Sequence, residues 1–289
     1  MTNTLLNLSG KIDDVTVFAL GRIHRIMSSM GISFFVVGAT ARDILLDVAY
    51  GLRLNRSTID IDVAVFVESW DQFERIKDRL IRSGDFSLTH EMQRLLFQER
   101  LPVDIVPFGG VAEKDDVIEW PPDRSFRMSV AGFQECYQHA VQVKIADNPE
   151  LAAKVVSLAG LAILKLISWD DNSDRRQKDA SDLVLIIKNY LDAGNLERLF
   201  EEAPDIVNSS VYDYELGSAR LLARDISKIA LPTTMTKLIR ILEGESQREQ
   251  GHRIAMEILR GRRFGDKSYE DTLALLEALL KGLTDAERR

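Results

Sequence analysis

Apolar positions in the first half of the chain fall into short unbroken runs and two-residue alternations separated by stretches of helical period, the pattern of strands interleaved with helices. Asp13 to Met30 repeats at helical spacing, with Val15, Ala19, Ile23, Ile26 and Met27 near one face and Gly31 as its stop. Phe34 to Val37 is a continuous apolar run ending at Gly38, which predicts a buried strand and a turn. A helix should follow, capped by Thr40, with Ile44, Leu45, Leu46, Val48 and Ala49 on its apolar side. Thr58 to Val67 alternates Ile59, Ile61 and Val63 against Asp60, Asp62 and Ala64, and predicts a second strand. Ser69 to Ser83 reads as a helix whose Trp70, Phe73, Ile76, Lys77 and Leu80 pack a core. His90 to Gln98 and Val103 to Pro107 read as a hairpin closed by Glu99-Arg100-Leu101-Pro102.

Pro107 to Asp123 is rich in Gly, Pro and acids and reads as a loop, with Glu113, Asp115, Asp116 and Glu119 as a solvated rim. Ala140 to Ile145 is strand-like, and Asn148-Pro149 marks a break near which we place a domain boundary, giving domains 1–150 and 151–289. Leu158, Leu161, Ala162, Leu166 and Trp169 form a helical stripe that includes Lys165. Stepping back by four from Leu183 and Ile186 places Asp179 and Asp182 on the inward stripe of the next helix. The remainder is helical in pattern, most clearly at Ser218 to Ile229, Thr234 to Leu242, Ile254 to Leu259 and Tyr269 to Leu283.

The 289 residues are 45% hydrophobic, enough for two ordinary domains. A net charge of -8 excludes a global basic field for nucleic acid, although Arg240, Arg248, His252, Arg253, Arg260, Arg262 and Arg263 make the C-terminal part locally basic. They serve as solvated helix faces or as a groove for an RNA acceptor. Cys136 is the single cysteine, which excludes an internal disulfide and a thiolate metal cluster. No window approaches a membrane span and no leader pattern opens the chain, so a soluble, cytoplasmic protein is expected.

Aspartate is depleted in strands, so two on one strand face ask for a reason. An edge strand with a solvated face is one. The other is chemistry: the Cα atoms of Asp60 and Asp62 should stand roughly 6–7 Å apart, close enough for both carboxylates to converge on one divalent cation. Asp104, set between Val103 and Ile105, supplies a third acid in a strand context, as two-metal phosphoryl chemistry requires. Arg53 and Arg56 are either solvated loop residues or triphosphate contacts. Lys165 either snorkels at the edge of its stripe or reaches a nucleotide's phosphates.

Gly38-Ala39-Thr40, Asp60-Ile61-Asp62 and Asp104 together resemble the polymerase-beta-type nucleotidyltransferase superfamily, and VVGATARDILL resembles the matching segment of tRNA-terminus-adding enzymes and poly(A) polymerases. Ala39 departs from that pattern, standing where a second glycine or a serine is usual. LAILKLISWDDNSDRRQKDASDL is similar to an element of the AbiEii-type nucleotidyltransferases, toxins of type IV toxin-antitoxin and phage-abortive systems, matched by Lys165, Lys178-Asp179 and Asp182. The resemblance implies an α/β (α+β) nucleotidyltransferase core with a mixed sheet and an α-helical C-terminal domain, the active site lying in the cleft between them. It implies transfer of a nucleoside monophosphate from a nucleoside triphosphate to an acceptor hydroxyl, an RNA or tRNA, with a separately encoded antitoxin as partner. Asp60, Asp62 and Asp104 would hold two Mg²⁺ ions, with Mn²⁺ as an alternative. Lys165 and Asp179 would complete the catalytic set, and Gly38, Ala39, Thr40, Arg42, Lys165, Lys178 and Asp182 would bind the nucleotide. A small-molecule (aminoglycoside-type) nucleotidyltransferase and a non-catalytic nucleotide-binding partner protein are the alternatives.

Overall fold

The computed structural model describes residues 5–52, 60–172, 177–208, 212–246, 252–260 and 268–286. Two compact units divide at Ser157 and Leu158. This lies beyond the expected break at 150, because Glu150–Val155 is still a strand of the first unit's sheet.

In the first unit a short strand β1 (Leu6–Asn7) precedes helix α1 (Asp14–Ser29), which is capped by the Asp13 side chain accepting from the Thr16 amide. Ala19, Leu20, Ile23 and Met27 are buried along α1, whereas Val15, expected on that face, is exposed. Strand β2 (Phe34–Val37) runs directly into helix α2 (Gly38–Arg42), which continues with wider winding over Asp43–Ala49. Thr40 does not cap it: Val37 holds the N-cap position and no side chain caps there. Strand β3 (Ile61–Val67) follows; Thr58 and Ile59, with which the sequence began this strand, lie outside the described residues, as do Arg53 and Arg56. Helix α3 (Trp70–Arg82), capped by Ser69, buries Phe73, Ile76, Lys77 and Leu80 as its period requires. Strands β4 (Phe86–Leu88), β5 (Arg94–Phe97) and β6 (Leu101–Gly109) come next.

The expected turn at residues 99–102 is displaced. Gln98 and Glu99 take positive φ, and Leu101 and Pro102 already belong to β6, opposite Phe97 and Leu96. The stretch read as a loop beyond Pro107 is partly regular as well: β6 runs on to Gly109, and β7 (Val117–Glu119) pairs with β8 (Arg127–Ser129) in a small separate ribbon. Helix α4 (Phe133–Gln138) then leads to β9 (Val141–Asp147) and β10 (Glu150–Val155).

Among the described residues, eight strands form one mixed sheet in the order β1-β9-β10-β2-β3-β6-β5-β4. β3 is central, antiparallel to β2 and parallel to β6, which answers the edge-strand alternative for its acids. Since side chains alternate along a strand, Ile61, Val63, Val65 and Val67 share one face with Val103 and Ile105, and all six are buried. α3 packs against β3. The other face carries Asp62, Ala64 and Phe66 beside Asp104, Val106 and Phe108. Its far part closes over an aromatic cluster in which Phe35 meets Phe108 and Tyr137 edge-on at 5.8 and 5.6 Å. The acids occupy one end of that face, where all three are partly exposed.

The second unit is helical: α5 (Leu158–Asp171), α6 (Gln177–Asn189), α7 (Leu196–Glu202), α8 (Pro204–Val207), α9 (Tyr214–Ile229), α10 (Pro232–Ser246), α11 (Arg253–Leu259) and α12 (Ser268–Ala286). α9 and α12 pack closely. A Cβ on Gly282 would lie 2.5 Å from the Ala223 side chain, so a side chain there would push the two helices apart. Asp225 ties the unit's middle together, accepting from Tyr190 at 2.6 Å and from Arg198 through both carboxylate oxygens at 2.9 Å. None of the helices among the described residues is long and apolar enough to cross a membrane.

Candidate active site

Three carboxylates meet at one end of the central strands. Val37 stands opposite Asp62 on β2 and β3, and Asp62 stands opposite Asp104 on β3 and β6. Asp60 lies one residue before β3, on the same side as Asp62 by the two-residue period. One carboxylate oxygen from each of Asp60, Asp62 and Asp104 lies within 4.8 Å of the others, and all three residues are partly exposed. Such like charges repel by about 3 kcal/mol per pair at an effective dielectric of ~20, less where water reaches them. The arrangement therefore wants cationic charge, and its all-oxygen donor set suits a hard divalent cation.

Gly38 makes room for it. Its φ is +64°, and a Cβ there would stand 2.1 Å from Asp62 Oδ2 and 2.8 Å from Asp62 Cβ. Gly38 and Ala39 are partly exposed at the start of the helix, where backbone N–H groups are left over. The Thr40 hydroxyl is buried and donates to the Asp60 carbonyl oxygen at 2.7 Å, tying the turn to the strand rather than offering itself to solvent. Arg42 is also interior: it is 1% exposed, and its Nε and Nη2 hold Asp43 Oδ1 at 2.8 and 2.6 Å.

One residue of this cluster escaped the sequence reading. Arg94 on β5 pairs with Asp104 on β6. Its Nε donates to Asp104 Oδ1 and its Nη2 to Oδ2, each at 2.7 Å, while Asp60 Oδ2 lies 3.9 Å from Nη2. The hydrogen bonds to Asp104, with the surrounding negative charge, raise the Arg94 pKa above its ordinary value against the opposing effect of burial. The signal that would have found it is the hairpin register, which the turn decides.

Each unit has a cavity of its own: one of about 370 Å³ in the helical unit, bordered by Tyr212, Arg220 and Lys281, and one of about 300 Å³ in the first unit, bordered by Thr40, Asp43, Asp60 and Asp13 with Ile12, Val15, Ile44 and Leu101. The smaller one thus shares Asp60 with the triad.

The second unit has a polar cluster of its own. Lys165 of α5 reaches Asp179 Oδ1 at 2.6 Å and Asp182 Oδ2 at 2.7 Å on α6, with all three side chains buried. Burial pushes the lysine pKa down, and the two carboxylates more than offset it, so the net shift is upward. Asp179 Oδ2 is buried without a hydrogen-bond partner among the described residues. Lys178 is exposed. Of the basic set, Arg240 and Arg260 are well exposed, and Arg240 and Arg253 converge on Asp170 at 3.5 and 3.4 Å. His252 is instead buried and bonded to the Tyr269 hydroxyl, while Arg248, Arg262 and Arg263 lie outside the described residues.

A mixed sheet whose Gly turn opens a helix, with Asp60 and Asp62 beside a third aspartate on the next strand, is the arrangement that the sequence resemblance leads one to expect of a nucleotidyltransferase core. The sequence places it further: residues 25–205 match the model of the family described as nucleotidyl transferase AbiEii toxin, type IV TA system, and the chain belongs to that family. No curated protein is significantly similar in sequence. Among solved structures, the solution structure of the antibiotic-resistance factor ANT(2'')-Ia is 13% identical with a TM-score of 0.40, covering 68% of this chain and 96% of that one. A CCA-adding enzyme with ATP is 16% identical with a TM-score of 0.34, covering 91% of this chain and 66% of that one. A CCA-adding enzyme in apo form is 16% identical with a TM-score of 0.35, covering 96% and 70%.

Proposed function

We propose that this nucleotidyltransferase moves a nucleoside monophosphate from a nucleoside triphosphate to a hydroxyl of an RNA acceptor, a tRNA above all, as a toxin held in check by a separately encoded antitoxin. The observation that carries the chemistry is the convergence of Asp60, Asp62 and Asp104 within 4.8 Å of one another on a central strand, its predecessor residue and a neighbouring strand. Membership of the toxin family supports the biological role, and the exposed Arg240 and Arg260 support an acceptor rich in phosphate.

Asp60, Asp62 and Asp104 would hold two Mg²⁺ ions, and Mn²⁺ fits the same oxygen donors. When bound, such ions supply charge neutralisation for the triphosphate and favour the ionised form of the attacking hydroxyl. Gly38 and Ala39 offer backbone N–H groups to phosphate oxygens at the helix start. A carboxylate oxygen of Asp104 receives the acceptor's proton. Lys165 and Asp179, contributed by the helical unit, complete the nucleotide site in this reading, with Lys178 and Asp182 beside them. The exposure of Lys178 supports a contact with phosphate.

The test incubates purified protein with Mg²⁺ and each α-labelled triphosphate in turn, in the presence of total RNA, protein extract or small-molecule acceptors. Label is expected in the tRNA fraction, and label confined to small molecules would overturn the RNA acceptor. Expression without a partner is expected to arrest growth, and co-expression of a separately encoded antitoxin to restore it.

A further inference from the structure

Arg94 occupies the place of a cation in a site built for cations. It holds both oxygens of Asp104, and the same guanidinium is 3.1 Å from Glu91 and 3.9 Å from Asp60. A fork-to-fork guanidinium pair engages the two lone-pair directions a carboxylate would otherwise turn to a metal or a proton. So long as it stands, a divalent ion that engages Asp104 must compete with this pair.

The pair is poised to open. The Arg94 side chain is 30% exposed, unlike a guanidinium locked in a core such as Arg42 at 1%. The hairpin does not depend on it, since the ladder from Leu95 opposite Val103 to Phe97 opposite Leu101 already sets the register. Glu91, three residues away and 38% exposed, gives the released guanidinium a second carboxylate to rest on.

We propose that Arg94 is a positioning residue, a latch that withholds Asp104 from metal binding and proton acceptance and is displaced when divalent cations fill the triad. This rests on reading Asp60, Asp62 and Asp104 as the metal-holding acids. Cation entry then exchanges one positive partner of Asp104 for another, so the carboxylate is never left with bare like-charge neighbours.

Mn²⁺ binding to the nucleotide-free protein, followed by the electron paramagnetic resonance signal of the free ion, tests the latch apart from turnover. Arg94→Gln is expected to bind Mn²⁺ about tenfold more tightly than the parent, the scale of one charged hydrogen-bonded pair. In an Asp104→Asn background the same substitution is expected to change affinity less than about twofold, because the latch acts through Asp104. An equal gain in both backgrounds would show a mere through-space charge effect and overturn the latch, as would no gain in either. Asp62→Asn separates the two levels: Mn²⁺ affinity unchanged by it sinks the metal triad and the latch together, whereas affinity lost in Asp62→Asn but unchanged in Arg94→Gln sinks the latch alone. If Arg94→Gln does not fold, Arg94→Lys, which keeps the charge but not the fork, carries the same cycle with an expected gain of about threefold.

Discussion

The carboxylate of Asp62 lies where residue 38 would carry its side chain: a Cβ on Gly38 would meet Asp62 Oδ2 at 2.1 Å and Asp62 Cβ at 2.8 Å. Neither end can give way easily, because Val37 and Asp62 are paired across β2 and β3 and Gly38 follows at a positive φ of +64°. The turn and the acid are therefore one object, and the helix start is held against the triad.

Gly38→Ala should accordingly displace Asp62 as well as strain the turn. We expect a loss of about 2 kcal/mol in urea unfolding, from the left-handed backbone and the overlap together. Nucleotidyl transfer should fall by more than about a hundredfold, since a 1 Å misplacement of a reacting group is enough for that. A fully active, stable Gly38→Ala protein would contradict the close approach.

Asp62→Asn should abolish transfer while leaving stability equal or slightly raised, because it removes one of three mutually repelling carboxylates. Chelation with EDTA should silence the parent protein, and added Mg²⁺ should restore it. The paired measurements are label transfer and the thermal midpoint; transfer that survives in EDTA would refute the metal dependence.

Thr40→Val removes the hydroxyl that donates to the Asp60 carbonyl at 2.7 Å. We expect a cost of about 1 kcal/mol in stability and roughly a tenfold drop in transfer as Asp60 loosens, both largely recovered in Thr40→Ser. Equal loss in the valine and serine variants would mean that the methyl packing, not the hydroxyl, matters.

Lys165→Met leaves Asp179 and Asp182 buried without their cation, and should cost about 3–5 kcal/mol. The pH dependence has a definite sign. The lysine pKa is raised in the folded protein, so its stabilising contribution is complete below the unfolded value of about 10.4 and is lost as pH rises through the higher folded value. Urea midpoints from pH 8 upward should fall above about pH 10.4 in the parent and show a weaker fall in Lys165→Met; identical profiles would remove Lys165 as the cause.

What local sequence determined is what two simple periods determine. The two-residue alternation alone puts Asp60 and Asp62 on one side of a strand, and the run Phe34 to Val37 ending at Gly38 announces a buried strand stopped by a left-handed residue. Helical period brought Lys165, Asp179 and Asp182 inward, but the identity of their partners depended on α5 lying against α6: the lysine pairs with both acids. Thr40 reads as a cap, since a hydroxyl near a helix start suits that role, and Arg42 as a nucleotide-binding residue by family resemblance. Tertiary structure gave the hydroxyl to the Asp60 carbonyl, and the buried guanidinium is held by its chain neighbour Asp43, because a buried donor must find an acceptor nearby.

Arg94 shows the limit most sharply. With the turn at residues 99–102, Gln98 would face Val103 and Phe97 would face Asp104. The structure turns at 98–100 instead, Phe97 faces Leu101, and Arg94 arrives opposite Asp104. Strand pattern fixes which side of the sheet a residue takes, whereas the residue it meets there depends on register, and register is set by a few turn dihedrals together with packing on both faces. The carboxylates were thus legible in the chain, and the cation that holds one of them was decided only by the fold.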